Sequence, residues 1–579
     1  MRDKPSMGLS NLERRSVGPG VLLLLAAALG CGQPSETGPG GEASGSGLPE
    51  GTAAAAEAIS EASLRASIRF LADDLLEGRG PATRGDRLTR AYLASSMESL
   101  GLEPGGADGG WEQPFEIVGV TAEVPKEWTF LGGRRGVALS FWDDFVAASG
   151  VQDKRAAIRQ AEVVFVGYGI QAPEYTWDDY KGHDLRGKVL LMLNNDPDWD
   201  PELFEGERRL YYGRWTYKYE SAARQGAAGA IIIHTTPSAG YPYQVVQTSW
   251  TGEQFELPDQ GEARVPIEAW VTEEAARKIV ALAGQDLDAL ATSARSRDFE
   301  PVPLDVTTSL ELENTISRVQ TANVAGLLRG SDPELADEVV VYTAHHDHLG
   351  IGQPDATGDG IYNGARDNAA GVAQVLAIAR GFARLPEPPR RSILFLFVAA
   401  EEQGLLGSEY YANHPTFAPG KITANINFDS PNIWGRTADI SFLGYGKSTA
   451  DRFVEAAADR QGRIVKGDQF PDRGYYYRSD QLNFARIGVP AIYLDPGTEY
   501  LGRPADWGHE VVEAYEARSY HQPSDELTEE WNLDGLVEDS RLGFMVGLAI
   551  AETDEPPVWK PGDEFEAARQ EALSALREP

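Results

Sequence analysis

Cysteine, histidine and basic side chains are scarce in this chain of 579 residues. A single cysteine, Cys31, means that no internal disulfide can form. There are 52 Lys and Arg against 88 Asp and Glu, which gives a formal net charge of -36 at pH 7. Proteins that bind nucleic acids need a basic face, so this composition argues against a nucleic-acid partner and predicts a soluble, self-repelling surface. With only 8 histidines in the chain, their positions become informative.

The N-terminal residues have the pattern of an export signal. Arg14 and Arg15 precede "VGPGVLLLLAAALGC", an apolar run that is short for a membrane span but typical of a signal peptide. We therefore expect residues 1–31 to be a signal peptide. The end of this run, Leu29-Gly30-Cys31, resembles a bacterial lipobox, which implies a cell-envelope lipoprotein held in the membrane by lipid on Cys31. Ordinary cleavage within the alanine run and secretion is the alternative.

The rest of the chain divides into segments that differ in composition and in hydrophobic pattern. A Gly/Ser/Pro-rich stretch at 32–56 predicts a flexible linker. Residues 57–145 and 301–555 alternate strand and helix patterns, which indicates an α/β fold with a mostly parallel mixed sheet flanked by helices. Residues 146–300 contain short strands and predict a smaller β-rich insert, and residues 556–579 predict a terminal helix.

Three of the histidines lie together at a predicted strand end. "AHHDHLG" contains His345, His346 and His348 and follows "DEVVVYTA", which is typical of a strand buried on both faces. Open α/β sheets place their chemistry at such strand ends, and imidazole is the commonest metal ligand at neutral pH. A hydrogen-bonded polar loop is the alternative, and further ligands elsewhere would decide against it.

Further candidate ligands occur in similar positions. Asp367 lies in a Gly/Asn-rich loop before a helix, Glu401 and Glu402 follow the strand "FLFV", Asp429 ends "NINFD", and His521 lies in "SYHQPSDE". Adjacent glutamates point in different directions, so one can bind a metal while its neighbour acts as a base toward water. Two histidines and three carboxylates suit a pair of zinc ions that share one carboxylate.

The five stretches together resemble the metal-site motifs of the clan MH co-catalytic zinc peptidases. This group includes bacterial leucine-type aminopeptidases and glutamate carboxypeptidases. Residues 160–240 resemble the protease-associated (PA) domain that is often inserted in these enzymes. The resemblance covers residues from about 60 to 550 and implies the zinc-exopeptidase fold.

The resemblance also implies a role for each residue. Asp367 would bridge two zinc ions, and the peptide bond between Asp367 and Asn368 would be cis. The resemblance also assigns the other ligands, a general base, an orienting aspartate and a tyrosine that binds the oxyanion. His345 and Asp429 would bind one zinc, and Glu402 and His521 would bind the other. Glu401 would be the general base, and Asp347 would orient His345 through a hydrogen bond. Tyr476 would bind the oxyanion, with Tyr475 and Tyr477 as alternatives. His346 and His348 would be supporting residues.

The function expected from these residues is a di-zinc aminopeptidase that hydrolyses peptides outside the cytoplasm with metal-activated water. A carboxypeptidase-like activity is the second hypothesis, because Arg366 and Arg478 lie near the motifs and could bind a carboxylate. An inactive binding scaffold would have lost ligands, whereas all five ligands and the base are present. A single-zinc glutaminyl cyclase would not keep this two-metal set.

The insert is expected to narrow access to the site without donating catalytic groups. Manganese or cobalt could replace zinc, and the sequence predicts no particular oligomeric state.

Overall fold

The computed structural model describes residues 48–201 and 203–577, which lie within one compact unit. The predicted signal peptide, Cys31 and residues 32–47 of the predicted linker lie outside these residues and stay predictions. Within the described part of the chain, no helix is both long enough and apolar enough to cross a membrane.

The described residues form α-helices and β-strands throughout their length. The helices are α1 Thr52–Glu57, α2 Glu61–Leu71, α3 Arg84–Ser99, α4 Trp215–Arg224, α5 Thr236–Ala239, α6 Tyr243–Ser249, α7 Glu273–Leu282, α8 Leu287–Ser293, α9 Gly371–Phe382, α10 Leu406–Asn413, α11 Asp451–Gln461, α12 Gln481–Arg486, α13 Trp507–Arg518, α14 Asp534–Glu552 and α15 Glu566–Ala575. The strands are β1 Glu103–Pro104, β2 Glu112–Glu123, β3 Glu127–Gly132, β4 Arg135–Ser140, β5 Phe145–Ser149, β6 Arg155–Phe165, β7 Gln171–Ala172, β8 Trp177–Asp178, β9 Val189–Leu193, β10 Gly229–His234, β11 Glu253–Glu256, β12 Ile267–Thr272, β13 Val302–Leu328, β14 Val339–His345, β15 Gly350–Ile351, β16 Ile361–Tyr362, β17 Ser392–Val398, β18 Ile422–Asn427, β19 Asp439–Leu443, β20 Ile464–Lys466 and β21 Ala491–Pro496.

The central sheet has a parallel middle. Strands β17, β14, β18 and β21 are neighbours and run parallel, and β19 with β20 continues the sheet beyond β21. On the other side, β13 and β2 add antiparallel strands. The apolar runs of β14 and β17 are buried along their whole length, because helices cover both faces of the sheet. The predicted α/β fold with a mostly parallel mixed sheet is therefore confirmed.

Helix formation starts earlier than the linker prediction allowed. Residues 52–57 read "TAAAAE" and form α1, which packs in the same apolar core as α9 and α14. Alanine has the highest intrinsic helix propensity, and this outweighs the Gly/Ser/Pro-rich character of the preceding stretch. The flexible linker predicted for 32–56 is thus wrong for its last residues.

A second layer contains the predicted insert. Strands β6, β9, β10 and β12 are parallel neighbours, with β5 antiparallel to β12. The hairpin of β3 and β4 lies before the predicted boundary at residue 146, yet its Trp128 and Phe130 pack in the apolar core of this layer. The long strand β13 pairs with β6 over its first half and with β17 over its last residues, so it joins both layers. The domain boundaries stay predictions.

A glycine fixes the distance between α14 and the strand that leads to the histidines. A Cβ atom added at Gly547 would lie 1.8 Å from the Tyr342 hydroxyl oxygen, which donates a hydrogen bond to the Gly543 carbonyl at 2.8 Å. Gly547→Ala should therefore lower the free energy of unfolding by about 1–3 kcal/mol through overpacking. Thermal or urea unfolding measures this. Gly467→Ala is the control, since a Cβ there meets nothing within 4 Å. Equal stability of the two variants would contradict this packing account.

Candidate metal centre

The first group of predicted ligands surrounds His345, the last residue of β14. Its Nε2 atom lies 3.2 Å from Asp367 Oδ1, 3.4 Å from Asp429 Oδ1 and 3.9 Å from Glu401 Oε2. His345 is buried, and neither of its ring nitrogens has a hydrogen-bond partner among the described residues.

The second group surrounds His521. Its Nε2 atom lies 2.9 Å from Glu402 Oε2 and 3.3 Å from Asp367 Oδ2, without a hydrogen-bond partner in the described part of the chain. The two carboxylate oxygens of Asp367 thus face different histidines. Asp367 is the member common to both groups, as the bridging role requires.

This arrangement fits a pair of metal ions. The ligand atoms of His345, Asp367 and Asp429 all lie within 4.8 Å of one another. Imidazole nitrogens and carboxylate oxygens are the donors that zinc takes in catalytic sites. Several carboxylates buried together would repel one another and be costly without a cation among them.

The fold brings these residues together at one edge of the sheet. Each of β14, β17 and β18 ends just before or at a predicted ligand or base, namely His345, the pair Glu401 and Glu402, and Asp429. Parallel strands end on the same edge, so residues far apart in sequence converge. The peptide bond between Asp367 and Asn368 is cis, as the resemblance implied.

Glu401 is the carboxylate beside the first group. Burial raises the pKa of its carboxyl well above the ordinary value, and Glu402 and Asp429 raise it further, while His345 acts in the opposite direction. Glu402 sits in a different environment, because the positive field of His521 and His348 lowers its pKa to about 2 against the effects of burial and of Asp367. The two adjacent glutamates thus have different surroundings, because Glu402 contacts His521 and His348 whereas Glu401 faces His345.

The predicted role of Asp347 needs correction. Its Oδ1 atom lies 3.7 Å from His345 Nδ1, which is beyond hydrogen-bond distance. Its carboxylate instead accepts hydrogen bonds from the backbone N–H groups of Glu401 at 3.1 Å and Glu402 at 3.4 Å. Asp347 therefore orients the loop that carries the two glutamates rather than the imidazole.

The predicted choice of Tyr476 is wrong. Its side chain packs against Tyr477 and Phe565 in the core of the second layer, and its hydroxyl has no hydrogen-bond partner among the described residues. Tyr475 lines the cavity at Glu401 and donates to Glu516. The three tyrosines form a single 3₁₀ turn, which directs successive side chains to different sides, so sequence distance could not select among them.

Two supporting groups were missing from the sequence reasoning. The carboxylate of Asp525 accepts hydrogen bonds from the N–H of Asp367 at 3.0 Å and from the Tyr515 hydroxyl at 3.1 Å. The buried guanidinium of Arg79 donates to the carbonyls of His346, at 2.9 Å, and Gly364, at 3.0 Å. Both fix the loops that carry ligands. Asp525 follows His521 closely enough to have been considered, whereas nothing near Arg79 in the sequence marks it.

The other two histidines of "AHHDHLG" have different surroundings. His348 Nδ1 lies 2.6 Å from Glu402 Oε1, so it holds one of the predicted ligands. His346 Nε2 lies 3.3 Å from Asp86 Oδ1, away from the ligand groups.

Two cavities meet at Glu401. One is lined by Asp367, Asp429, Tyr475 and Arg478, and the other, which the insert helps to form, by Glu402, His521, Arg214, Ser249 and also Arg478. The site can therefore be approached from both sides of the base.

Part of the sequence is similar to known peptidases. Residues 323–542 match the sequence model of Peptidase family M28, and this segment contains all five predicted ligands and Glu401. Leupeptin-inactivating enzyme 1 from Streptomyces exfoliatus is 30% identical over 217 residues, which are 36% of this chain and 46% of that protein. An aminopeptidase from Pseudomonas aeruginosa is 27% identical over 286 residues, 47% of this chain and 48% of that protein. The chain spans about half the length of these curated relatives, and its residues 323–542 are the part that is similar to peptidase family M28.

A solved structure shows the same fold over most of the chain. The aminopeptidase from Aneurinibacillus sp. strain AM-1 is similar with a TM-score of 0.52 and 18% sequence identity, covering 87% of this chain and 96% of that one.

The different surroundings of the two glutamates lead to a prediction about metal content. Glu402→Gln removes a charged ligand and should lower the occupancy of one zinc, with partial recovery in excess metal. Glu401→Gln should leave zinc content near that of the unmodified protein. Mass spectrometry of metal per chain after dialysis against a weak chelator measures both. If Glu401→Gln loses zinc and Glu402→Gln keeps it, the two assignments are reversed.

Proposed function

We propose that this protein is a zinc-dependent aminopeptidase that takes two zinc ions and removes N-terminal residues from peptides. The observation that supports the proposal is the convergence of both histidines on the two oxygens of Asp367, with Glu401 beside them. The M28 match and the relatives named as aminopeptidases point to the same activity.

The residues divide into two ligand sets. One zinc would be held by His345, Asp367 and Asp429, and the other by Asp367, Glu402 and His521. Bound zinc would supply a Lewis acid for the scissile carbonyl and lower the pKa of a water molecule.

Glu401 supplies the proton transfer. Its carboxylate accepts a proton of the attacking water and then passes it to the leaving amine. Asp347 keeps the Glu401 loop in place through the two backbone hydrogen bonds.

The insert would act as a PA-like cover that limits access. Because residues of 146–300 line the second cavity, short peptides and flexible chain ends would reach Glu401 more readily than folded proteins. Export and lipid attachment at Cys31 would place the enzyme in the cell envelope.

A carboxypeptidase-like activity is the second candidate, and two arginines favour it. Arg478 and Arg214 line the second cavity, and neither forms an ion pair within the described residues. Such guanidinium groups are suited to bind a carboxylate. Arg366, in contrast, is occupied, since it donates to the carbonyls of Pro431 and Ser430 and stacks between Trp434 and Tyr515.

The requirement for a free N-terminus or a free C-terminus on the substrate distinguishes the aminopeptidase from the carboxypeptidase. An aminopeptidase should cleave peptides with an amidated C-terminus and aminoacyl anilides, and it should fail on peptides with a blocked N-terminus. Product analysis by mass spectrometry gives the order of release. Cleavage of N-blocked peptides, together with failure on amidated ones, would contradict the proposal and favour the carboxypeptidase.

Removal of metal by a chelator should abolish the activity, and added zinc should restore it.

Loss of the base should slow hydrolysis without loss of metal. Glu401→Gln cannot accept a proton, so kcat on a leucyl anilide should fall by about 10²–10⁴-fold. Glu409→Gln, on α10 beyond the same loop and outside both cavities, is the matched control and should retain activity. Unchanged kcat in Glu401→Gln, with full zinc content, would exclude Glu401 as the base.

A further inference from the structure

The end of an insert helix contacts one of the predicted zinc ligands. Ser249, the last residue of α6, has its Oγ atom 2.8 Å from His521 Nδ1. Its neighbour Thr248 donates a hydrogen bond through Oγ1 to the His521 carbonyl at 3.3 Å. The insert thus contacts both the ring and the backbone of this ligand.

His521 needs support at this position. Its φ angle of 56° is in the left-handed region, which residues other than glycine seldom adopt without stabilising contacts. Its carbonyl also accepts a hydrogen bond from the Gln522 side chain at 2.8 Å. Those contacts hold the backbone, whereas the bond to Ser249 is the one that reaches the imidazole ring.

The Ser249 hydroxyl is directed to the ring instead of to its own helix. The neighbouring hydroxyls of Thr248 and Thr251 bond to the carbonyls of Gln244 and Gln247, the usual partners within a helix. Within the described residues, the Ser249 hydroxyl forms no such bond to a helix carbonyl, and its hydrogen-bond partner is His521.

We propose that Ser249 is a positioning residue for the second zinc. Its hydroxyl oxygen accepts a hydrogen bond from the Nδ1–H group of His521, so that Nε2, which faces Glu402 and Asp367, carries the lone pair for the metal. The inference rests on the proposed function only in that it takes zinc as the metal. It changes the expected role of the insert, which then forms part of the support of the metal centre in addition to covering it.

Zinc affinity tests this role without reference to catalysis. Outer partners of metal-bound histidines typically contribute about 10–100-fold in metal affinity. In a chelator competition on the full chain, Ser249→Ala should therefore weaken one of two zinc ions by about this factor and leave the other unchanged. Ser249→Thr keeps a hydroxyl and should restore most of the affinity. Thr251→Ala, which removes a hydroxyl bonded within its own helix region, is the matched control and should bind both ions normally.

The outcomes are distinct from those that test the proposed function. If Ser249→Ala has the unfolding temperature of the unmodified protein and binds both zinc ions equally well, the inference is overturned. It is also overturned if Thr251→Ala weakens zinc as much as Ser249→Ala does. If the unmodified protein binds two zinc ions and hydrolyses no peptide, the proposed function fails. A selective loss of one zinc in Ser249→Ala would then still support the positioning role.

Discussion

The structure depends on the burial of four carboxylates and two imidazoles within one small region. Asp367, Glu401, Glu402 and Asp429 lie close together at the edge of the sheet, where burial reduces the screening of their repulsion by water. Isolated buried charges of one sign are strongly unfavourable, and neighbouring carboxylates disfavour each other's ionised form. Divalent cations among them would convert this repulsion into attraction. In the proposed function the same cations would provide the chemistry, so a feature that is unfavourable for folding would serve catalysis.

The rest of the fold keeps these groups in position. Parallel strands end together at the site, and α9 and α14 hold those strands from one face. Asp525 anchors the Asp367 loop, and Arg79 ties together the backbone of two further loops. The insert completes one wall through α6. A site built in this way draws on segments from across the sequence, which explains why metal binding and folding should be coupled.

Parts of the fold and of the site follow simple rules and could be predicted from the sequence. Apolar runs that end in ionisable residues predicted the parallel strands and marked His345, Glu401, Glu402 and Asp429 as candidate site residues, while the separate role of each came from the family resemblance. Orientation within a turn was beyond those rules, and this is why Tyr476 was chosen where Tyr475 faces the cavity. The contact of Ser249 with His521 was also beyond them, because a serine at the end of a short helix has no distinctive pattern. Asp347 was found, but its partner depends on distances of a few tenths of an ångström that sequence spacing does not determine.

The central claim is that one aspartate holds two metal ions. Crystals of the zinc-loaded protein, measured on both sides of the zinc absorption edge, would show the metal positions directly in an anomalous difference map. The account predicts two zinc peaks, each within bonding distance of a different oxygen of Asp367, one beside His345 and Asp429 and the other beside Glu402 and His521. A single peak, or two peaks of which one does not contact Asp367, would contradict it.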